Sequence, residues 1–160
     1  MLRAAIFLLS LPTVTVPAAA QRQPHGIFFG WGAFEDRNAK KCFAIAEPVG
    51  ANRESEPFVS VGFWPERGVG PQLHVRLSRA KRDGSAVILR IDERVFQLEG
   101  RGADVWAARP SADKAIAAAM RTGVAMRVES RAPNGAKISD RYALRGAASA
   151  IDAAAVACAR

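Results

Sequence analysis

The 160-residue chain contains few of the residues that most often carry chemistry: two histidines, two cysteines and one tyrosine. The histidines, His25 and His74, are far apart in the sequence, and so are the two cysteines. The close ligand pairs of structural zinc sites are therefore absent, and we expect no metal and no cofactor. A Gly-x-Gly-x-x-Gly stretch between a strand and a helix is also missing, which removes support for a nucleotide phosphate site.

Long hydrophobic runs are missing as well, except near the N-terminus. There, Arg3 precedes an apolar run and a stretch of small residues that ends at Ala20, which is the pattern of a cleaved signal peptide. A transmembrane anchor needs about 20 unbroken apolar residues, whereas Pro12 and Thr13 interrupt this run. We therefore predict a signal peptide over residues 1–20, a periplasmic or secreted protein, and no transmembrane segment after cleavage.

Removal of the signal peptide leaves residues 21–160, which is the usual size of one domain. We expect a single β-rich domain with an ordered core over about 27–158. The chain has 23 basic and 15 acidic residues, and the signal peptide contains only Arg3 of these, so the mature chain carries a net charge of +7. A basic chain can favour acidic partners such as anionic lipid surfaces. The same charge can equally serve solubility.

The two cysteines allow one intramolecular disulfide, between Cys42 and Cys158, which an exported chain can form. This bridge would close a loop of 116 residues. Loop closure would restrict the unfolded chain, with a model value of about 4.7 kcal/mol for a loop of about 100 residues. Two free buried thiols, or a bridge between two chains through Cys158, are the alternatives.

Apolar and polar residues alternate with period two through much of the chain, which predicts strands. The candidates are residues 27–34, 42–47, 58–64, 72–78, 86–91, 95–99, 124–130 and 138–145. The last two flank the turn sequence Pro133-Asn134-Gly135. These short antiparallel segments are typical of sandwiches and barrels.

Helical spacing occurs twice. The first helix is predicted over about 112–122, with Ser111 as its N-cap and Gly123 at its end. The second begins after Gly146 and turns Ile151 and Cys158 toward the core. We therefore expect a mostly β fold, an antiparallel β-sandwich or partly closed barrel of about eight strands with one short helix and a C-terminal helix.

Five segments follow one another in a recognisable order. They are 30–34 with Trp31, 41–45 with Cys42, 87–92 with Asp92, 120–128 with Gly123, and 142–146 with Leu144 and Gly146. Together they resemble the invasion-associated locus B family of exported bacterial proteins over roughly residues 30–158. The resemblance implies a β-sandwich-like domain in the periplasm or at the cell surface, with no known catalytic residues. Many members have a cysteine pair after the Asp strand, whereas residues 98–104 here contain none, which implies an outlying branch.

Basic residues cluster around one predicted strand end and the hairpin that follows it. They are Arg76, Arg79, Lys81, Arg82, Arg90 and Arg94. If the two elements adjoin, they form an anion-binding patch for lipid phosphates or polyanionic glycans, with salt-sensitive affinity. The alternative is a set of solvated charges that protect strand edges. The aromatic residues lie mostly in apolar runs, so we expect no specific nucleic-acid binding.

Candidate catalytic residues are few. Ser111 and Lys114 have the Ser-x-x-Lys spacing of some acyl-transfer enzymes, but Ser78 and Lys81 repeat that spacing, and the partner motifs are missing. A triad would have to use His74, on the wet face of its strand. We therefore predict no catalytic residue and a non-enzymatic protein that acts through an unknown protein or envelope partner. A polyanion or anionic-membrane-surface binding module and a small exported hydrolase are the alternatives.

Overall fold

A computed structural model describes residues 22–50 and 55–159. The predicted signal peptide, residues 1–20, lies outside the described residues. The strands of the described chain are β1 Arg22–Phe28, β2 Trp31–Asp36, β3 Lys41–Ala46, β4 Phe58–Trp64, β5 Val69–Arg76, β6 Val87–Ile91, β7 Arg94–Arg101, β8 Asp104–Ala107, β9 Ala125–Arg131 and β10 Lys137–Ala143. The helices are α1 Pro110–Thr122 and α2 Ala147–Ala157, and a short 3₁₀ helix, Pro65–Arg67, joins β4 to β5.

The strands form one sheet in the order β1-β2-β3-β4-β5-β8-β7-β6-β9-β10, and every neighbouring pair is antiparallel. The predicted mostly β fold with a short helix and a C-terminal helix is confirmed. The sheet is not closed into a barrel, because β1 and β10 remain its two edges.

The described sheet has ten strands instead of about eight because two reversals were not predicted. The predicted strand 27–34 is divided at Phe29, whose φ of 56° turns the chain back into a hairpin. A left-handed φ is uncommon for phenylalanine, and Gly30, the second residue of the turn, was assigned to the strand. The second reversal is at Gly102, with φ 59°, and it adds β8 between β5 and β7.

One face of each strand packs into a single core with both helices. Val59 of β4 and Val75 of β5, for example, are fully buried, and their sequence neighbours face away from the core. The helix α2 packs on β1 to β4, and α1 packs on β5 and against α2. Ile116 of α1 and Ile151 of α2 are fully buried, as their helical spacing predicts.

The helix α1 begins earlier than predicted. Its first residue is Pro110 and its N-cap is Arg109, which makes no side-chain cap hydrogen bond, so the prediction that Ser111 is the N-cap was wrong. Proline suits the first helical position because its fixed φ is already helical and its missing N–H needs no partner. The buried carboxylate of Asp113 accepts a hydrogen bond from the Leu73 N–H at 2.7 Å, which ties α1 to β5. Burial raises the pKa of Asp113.

The predicted disulfide is present within the chain. Cys42 of β3 is bonded to Cys158, the residue that follows α2, with their Cα atoms 5.7 Å apart. The bridge therefore fixes the end of the last helix to an early strand. Free thiols and a bridge between chains, the two alternatives, do not describe this structure.

The β10 edge of the sheet is contacted by the first half of the sheet at one end of the domain. The indole Nε1 of Trp31, in β2, donates to the carbonyl of Ala143, in β10, at 2.9 Å. The backbone N–H of Val49, after β3, donates to the carbonyl of Arg141 at 2.7 Å. Two carbonyls of the β10 edge are thus satisfied by groups from the opposite half of the sheet.

Candidate functional site

The structure divides the six predicted patch residues into two groups, because β8 and β7 lie between β5 and β6. From Arg94 to Arg101, β7 extends about 23 Å. Arg101 pairs with Asp104 of β8, and Asp104 pairs with Arg76 of β5. Arg76 therefore lies at the opposite end of β7 from Arg94. The structure does not bring these six residues together into one surface.

The group near β5 has little free positive charge. The guanidinium of Arg76 lies 3.5 Å from the Asp104 carboxylate. Lys81 is 8 % exposed, and its Nζ donates to the carbonyl of Arg82 at 3.3 Å. Arg79 and Arg82 are exposed in the connection between β5 and β6. This group therefore forms no cluster of its own. Arg82 instead lies against the β9–β10 hairpin: its backbone N–H donates to the carbonyl of Arg131 at 2.7 Å, and it lines one cleft with Glu129, Arg131 and Lys137.

The second group contains a feature that the sequence analysis missed. Arg90 of β6 lies directly opposite Arg127 of β9, and Arg127 lies directly opposite Arg141 of β10. All three are exposed, on the face of the sheet that points away from the core. We call Arg90, Arg127 and Arg141 the arginine row. Like charges placed directly opposite each other on neighbouring strands destabilise a sheet, so stability alone does not explain the row.

Two further cations continue this surface. Arg131 of β9 pairs with Lys137 of β10 on the same outward face. We call the arginine row together with Arg131 and Lys137 the arginine face. In the described chain, Glu129 is the only acidic residue that β6, β9 and β10 contribute to this outward face. On this face, the three strands therefore contribute five cations and one carboxylate.

Glu129 lies among the cations of the arginine face. Its carboxylate is 2.6 Å from Lys137 Nζ, 3.7 Å from Arg90 Nε and 4.0 Å from Arg127 Nη1. The hydrogen bond from Lys137 and the charges of the surrounding cations hold the pKa of Glu129 below its usual value. The carboxylate is therefore ionised at neutral pH and offsets part of the positive charge.

Heparin is a probe for the anion binding that the sequence predicts for these strands. Replacing Glu129 by glutamine should strengthen heparin binding, because one negative charge leaves the arginine face. At neutral pH the variant should lose less than about 1 kcal/mol of unfolding free energy, which is the usual range for a partly exposed ion pair. A carboxylate with a lowered pKa stabilises the fold above its unfolded pKa, and this stabilisation is lost as the pH falls through the lowered value. Denaturant titrations between neutral and acidic pH should therefore show the difference disappearing in acid.

Glu66→Gln is the matched control for this prediction. Glu66 forms an ion pair with Lys40 at 2.9 Å, in a part of the chain that contributes nothing to the arginine face. Glu66→Gln should therefore leave the heparin affinity unchanged. Equal gains in heparin affinity from both variants would mean that net charge, and not the arginine face, governs binding.

The two candidate catalytic residues lie on different sides of β5. The side chain of His74 is on the outward face, where its Nε2 is 2.8 Å from Asp104 and its ring stacks on Trp106 at 4.8 Å. Ser111 is exposed in the first turn of α1, which packs on the core side of β5. The structure therefore does not bring Ser111 and His74 together.

The described residues contain no group of three or more side chains that could hold a metal ion. None of the described helices is long and apolar enough to cross a membrane. No protein-family model, curated protein or solved structure matches the chain.

Proposed function

We propose that this chain is an exported, non-enzymatic binding protein of the invasion-associated locus B type, which attaches through its arginine face to an acidic partner in the cell envelope. The observation that carries the proposal is the register of the arginine row. Arg90, Arg127 and Arg141 are cross-strand neighbours on three adjacent strands. A partner that supplies several negative charges would remove the repulsion among them.

The geometry of the arginine face favours an extended acidic surface over a single small anion. Adjacent strands lie about 4.8 Å apart, so the arginine row spans about 10 Å across three strands. Arg131 and Lys137 extend the face along β9 and β10. Guanidinium groups bind phosphate and carboxylate oxygens through two parallel hydrogen bonds. A glycan or membrane surface with repeated acidic groups can occupy several of them at once.

Two contacts support export and the family assignment. The disulfide joins Cys42, in one segment of the resemblance, to the end of the terminal helix, and disulfides persist in oxidising compartments. Trp31, in the first such segment, donates a hydrogen bond to Ala143, in the last one. The first and last of the five segments are thus joined by a hydrogen bond between β2 and β10. The predicted signal peptide over 1–20 adds an independent reason for export.

The triple variant R90Q/R127Q/R141Q tests the proposed function, with heparin as the probe. Basic side chains near an anionic surface contribute about 1 kcal/mol each. Heparin affinity at moderate ionic strength, measured by calorimetry on the mature chain, should therefore fall by about 100-fold. The variant should also unfold close to the temperature of the unmodified protein, because the substitutions remove both the repulsion between cross-strand neighbours and the ion pairs of Arg90 and Arg127 with Glu129.

R67Q/R109Q/K114Q is the matched control, since it removes the same charge from exposed positions elsewhere. It should change heparin affinity by less than about threefold, because exposed charges farther away than a Debye length of about 10 Å are screened. Equal losses from the two triple variants would show that heparin responds only to net charge. That result, or no heparin binding by the unmodified protein, would overturn the proposal.

A further inference from the structure

Three of the most exposed large hydrophobic side chains lie at one end of the described domain. Val124 is 78 % exposed, Val49 is 72 % exposed and Phe29 is 64 % exposed. They occupy three separate connections: Phe29 lies between β1 and β2, Val49 follows β3, and Val124 precedes β9. We call these three residues the apolar end.

Contacts with one short segment hold the apolar end together. The carbonyl of Val124 accepts a hydrogen bond from the Leu144 N–H at 3.0 Å, and the N–H of Val49 donates to the Arg141 carbonyl. The guanidinium of Arg145 lies 3.8 Å from the centre of the Phe29 ring. All three loops therefore contact the stretch 141–145, at the end of β10.

The apolar end is continuous with the arginine row. Val49 and Val124 line a cleft of about 520 Å³ together with Arg90, Arg127 and Arg141. Asp92, at the rim of this cleft, accepts hydrogen bonds from the Val124 and Ala125 N–H groups at 3.1 to 3.3 Å. Its carboxylate thus holds the loop that exposes Val124. Apolar and cationic side chains therefore form one surface at this end.

We infer that this end of the protein docks on a bilayer containing anionic phospholipid, with Phe29, Val49 and Val124 in the interfacial layer and the arginine row on lipid phosphates. The inference rests on the proposed function, because it uses the same arginine row. Basic side chains are attracted to anionic leaflets. Exposed apolar side chains beside them lower the free energy of the bound state when they leave water for the headgroup region. Long arginine side chains reach phosphates from such a position.

The exposed hydrophobic residues favour a bilayer over a soluble polyanion as the partner. An acidic glycan would leave Val49 and Val124 in water, so these two side chains would contribute nothing to the binding free energy. A protein partner would need a matching surface of roughly 800 Å². Single side chains that protrude from three separate loops suit a fluid interface, which fills the space between them.

The double variant V49S/V124S tests the inference without removing a charge. Sedimentation with vesicles of equal parts phosphatidylglycerol and phosphatidylcholine should show about tenfold weaker binding than for the unmodified mature chain. Heparin affinity should not change. V69S/V156S is the matched control, because Val69 and Val156 are exposed elsewhere on the domain. It should bind the same vesicles as the unmodified protein does.

A second measurement reports on the position of residue 29 itself, in a variant whose thermal melt matches that of the unmodified protein. In Phe29→Trp, brominated lipids in the same vesicles should quench fluorescence more strongly than in the unmodified protein. Vesicles of phosphatidylcholine alone should give no quenching, because they lack the anionic lipid.

The outcomes distinguish the two proposals. Vesicle binding by V49S/V124S at the unmodified level, or no additional quenching in Phe29→Trp, would overturn docking of the apolar end and leave heparin binding to support the proposed function. Binding of the unmodified protein to heparin but not to vesicles would likewise overturn docking on a bilayer and leave the proposed function supported. Absence of both would overturn both proposals.

Discussion

Removal of the disulfide should lower the unfolding free energy of the mature chain by about 4 kcal/mol in oxidising buffer. The bridge between Cys42 and Cys158 closes 116 residues, and such a long loop strongly limits the conformations of the unfolded chain. For a domain of this size the loss corresponds to a fall in melting temperature of roughly 10 to 20 °C. Thermal melts of Cys158→Ser and of the unmodified protein, monitored by circular dichroism, measure this fall in melting temperature.

Two comparisons separate the bridge from other effects of the substitution. The unmodified protein with a strong reductant should melt close to Cys158→Ser. Cys42→Ser should melt lower than both, because Cys42 is 1 % exposed and its replacement buries a hydroxyl group. Identical melts of the unmodified protein with and without reductant would contradict a stabilising role for the bridge.

Gly146→Ala should also lower the unfolding free energy strongly. Gly146 has φ 93°, and a Cβ atom there would lie 2.0 Å from the carbonyl oxygen of Phe28 and 2.8 Å from its carbon. A left-handed conformation costs a residue with a side chain about 1 to 2 kcal/mol. Displacing the backbone of the β1–β2 hairpin adds a cost in the range of overpacked cores, about 1 to 3 kcal/mol. Chemical denaturation should therefore show a loss of about 3 kcal/mol.

Gly135→Ala isolates the contact from the conformational strain. Gly135 has a similar φ of 83°, but nothing lies within 4 Å of the position of its Cβ atom. This control should lose only about 1 kcal/mol. Equal losses at the two positions would show that backbone strain alone explains the requirement for glycine. A larger loss at Gly146 would show that β1 and β2 need close approach to the start of α2.

Local patterns predicted most of the fold because most strands have one buried face and one exposed face. The alternation around Leu73 and Val75 and the helical spacing around Ile116 are direct consequences of that burial. The turn at Phe29 was missed because phenylalanine rarely takes a left-handed φ and because Gly30 was assigned to the strand. The strand β8 was missed because its four residues are too few to show a clear alternation of apolar and polar side chains.

The candidate site was less predictable than the fold because it depends on which strands are neighbours. The pairing of Arg127 with Arg141 could have been found by counting outward from the Pro133-Asn134-Gly135 turn. The position of Arg90 could not, since β6 pairs with β9 through a long-range contact. The disulfide was predictable for a simpler reason: a chain with two cysteines has one possible internal bridge.

The bond between Cys42 and Cys158 also makes a covalent ring that contains β4 to β10 and both helices. A protease that cuts one peptide bond inside this ring opens it without dividing the molecule, and two cuts or a reductant are needed to release a piece. The hairpin of β1 and β2 lies outside the ring. After a cut before β3, that hairpin and its exposed Phe29 would remain attached only by packing and hydrogen bonds, among them the bond from Trp31 to Ala143.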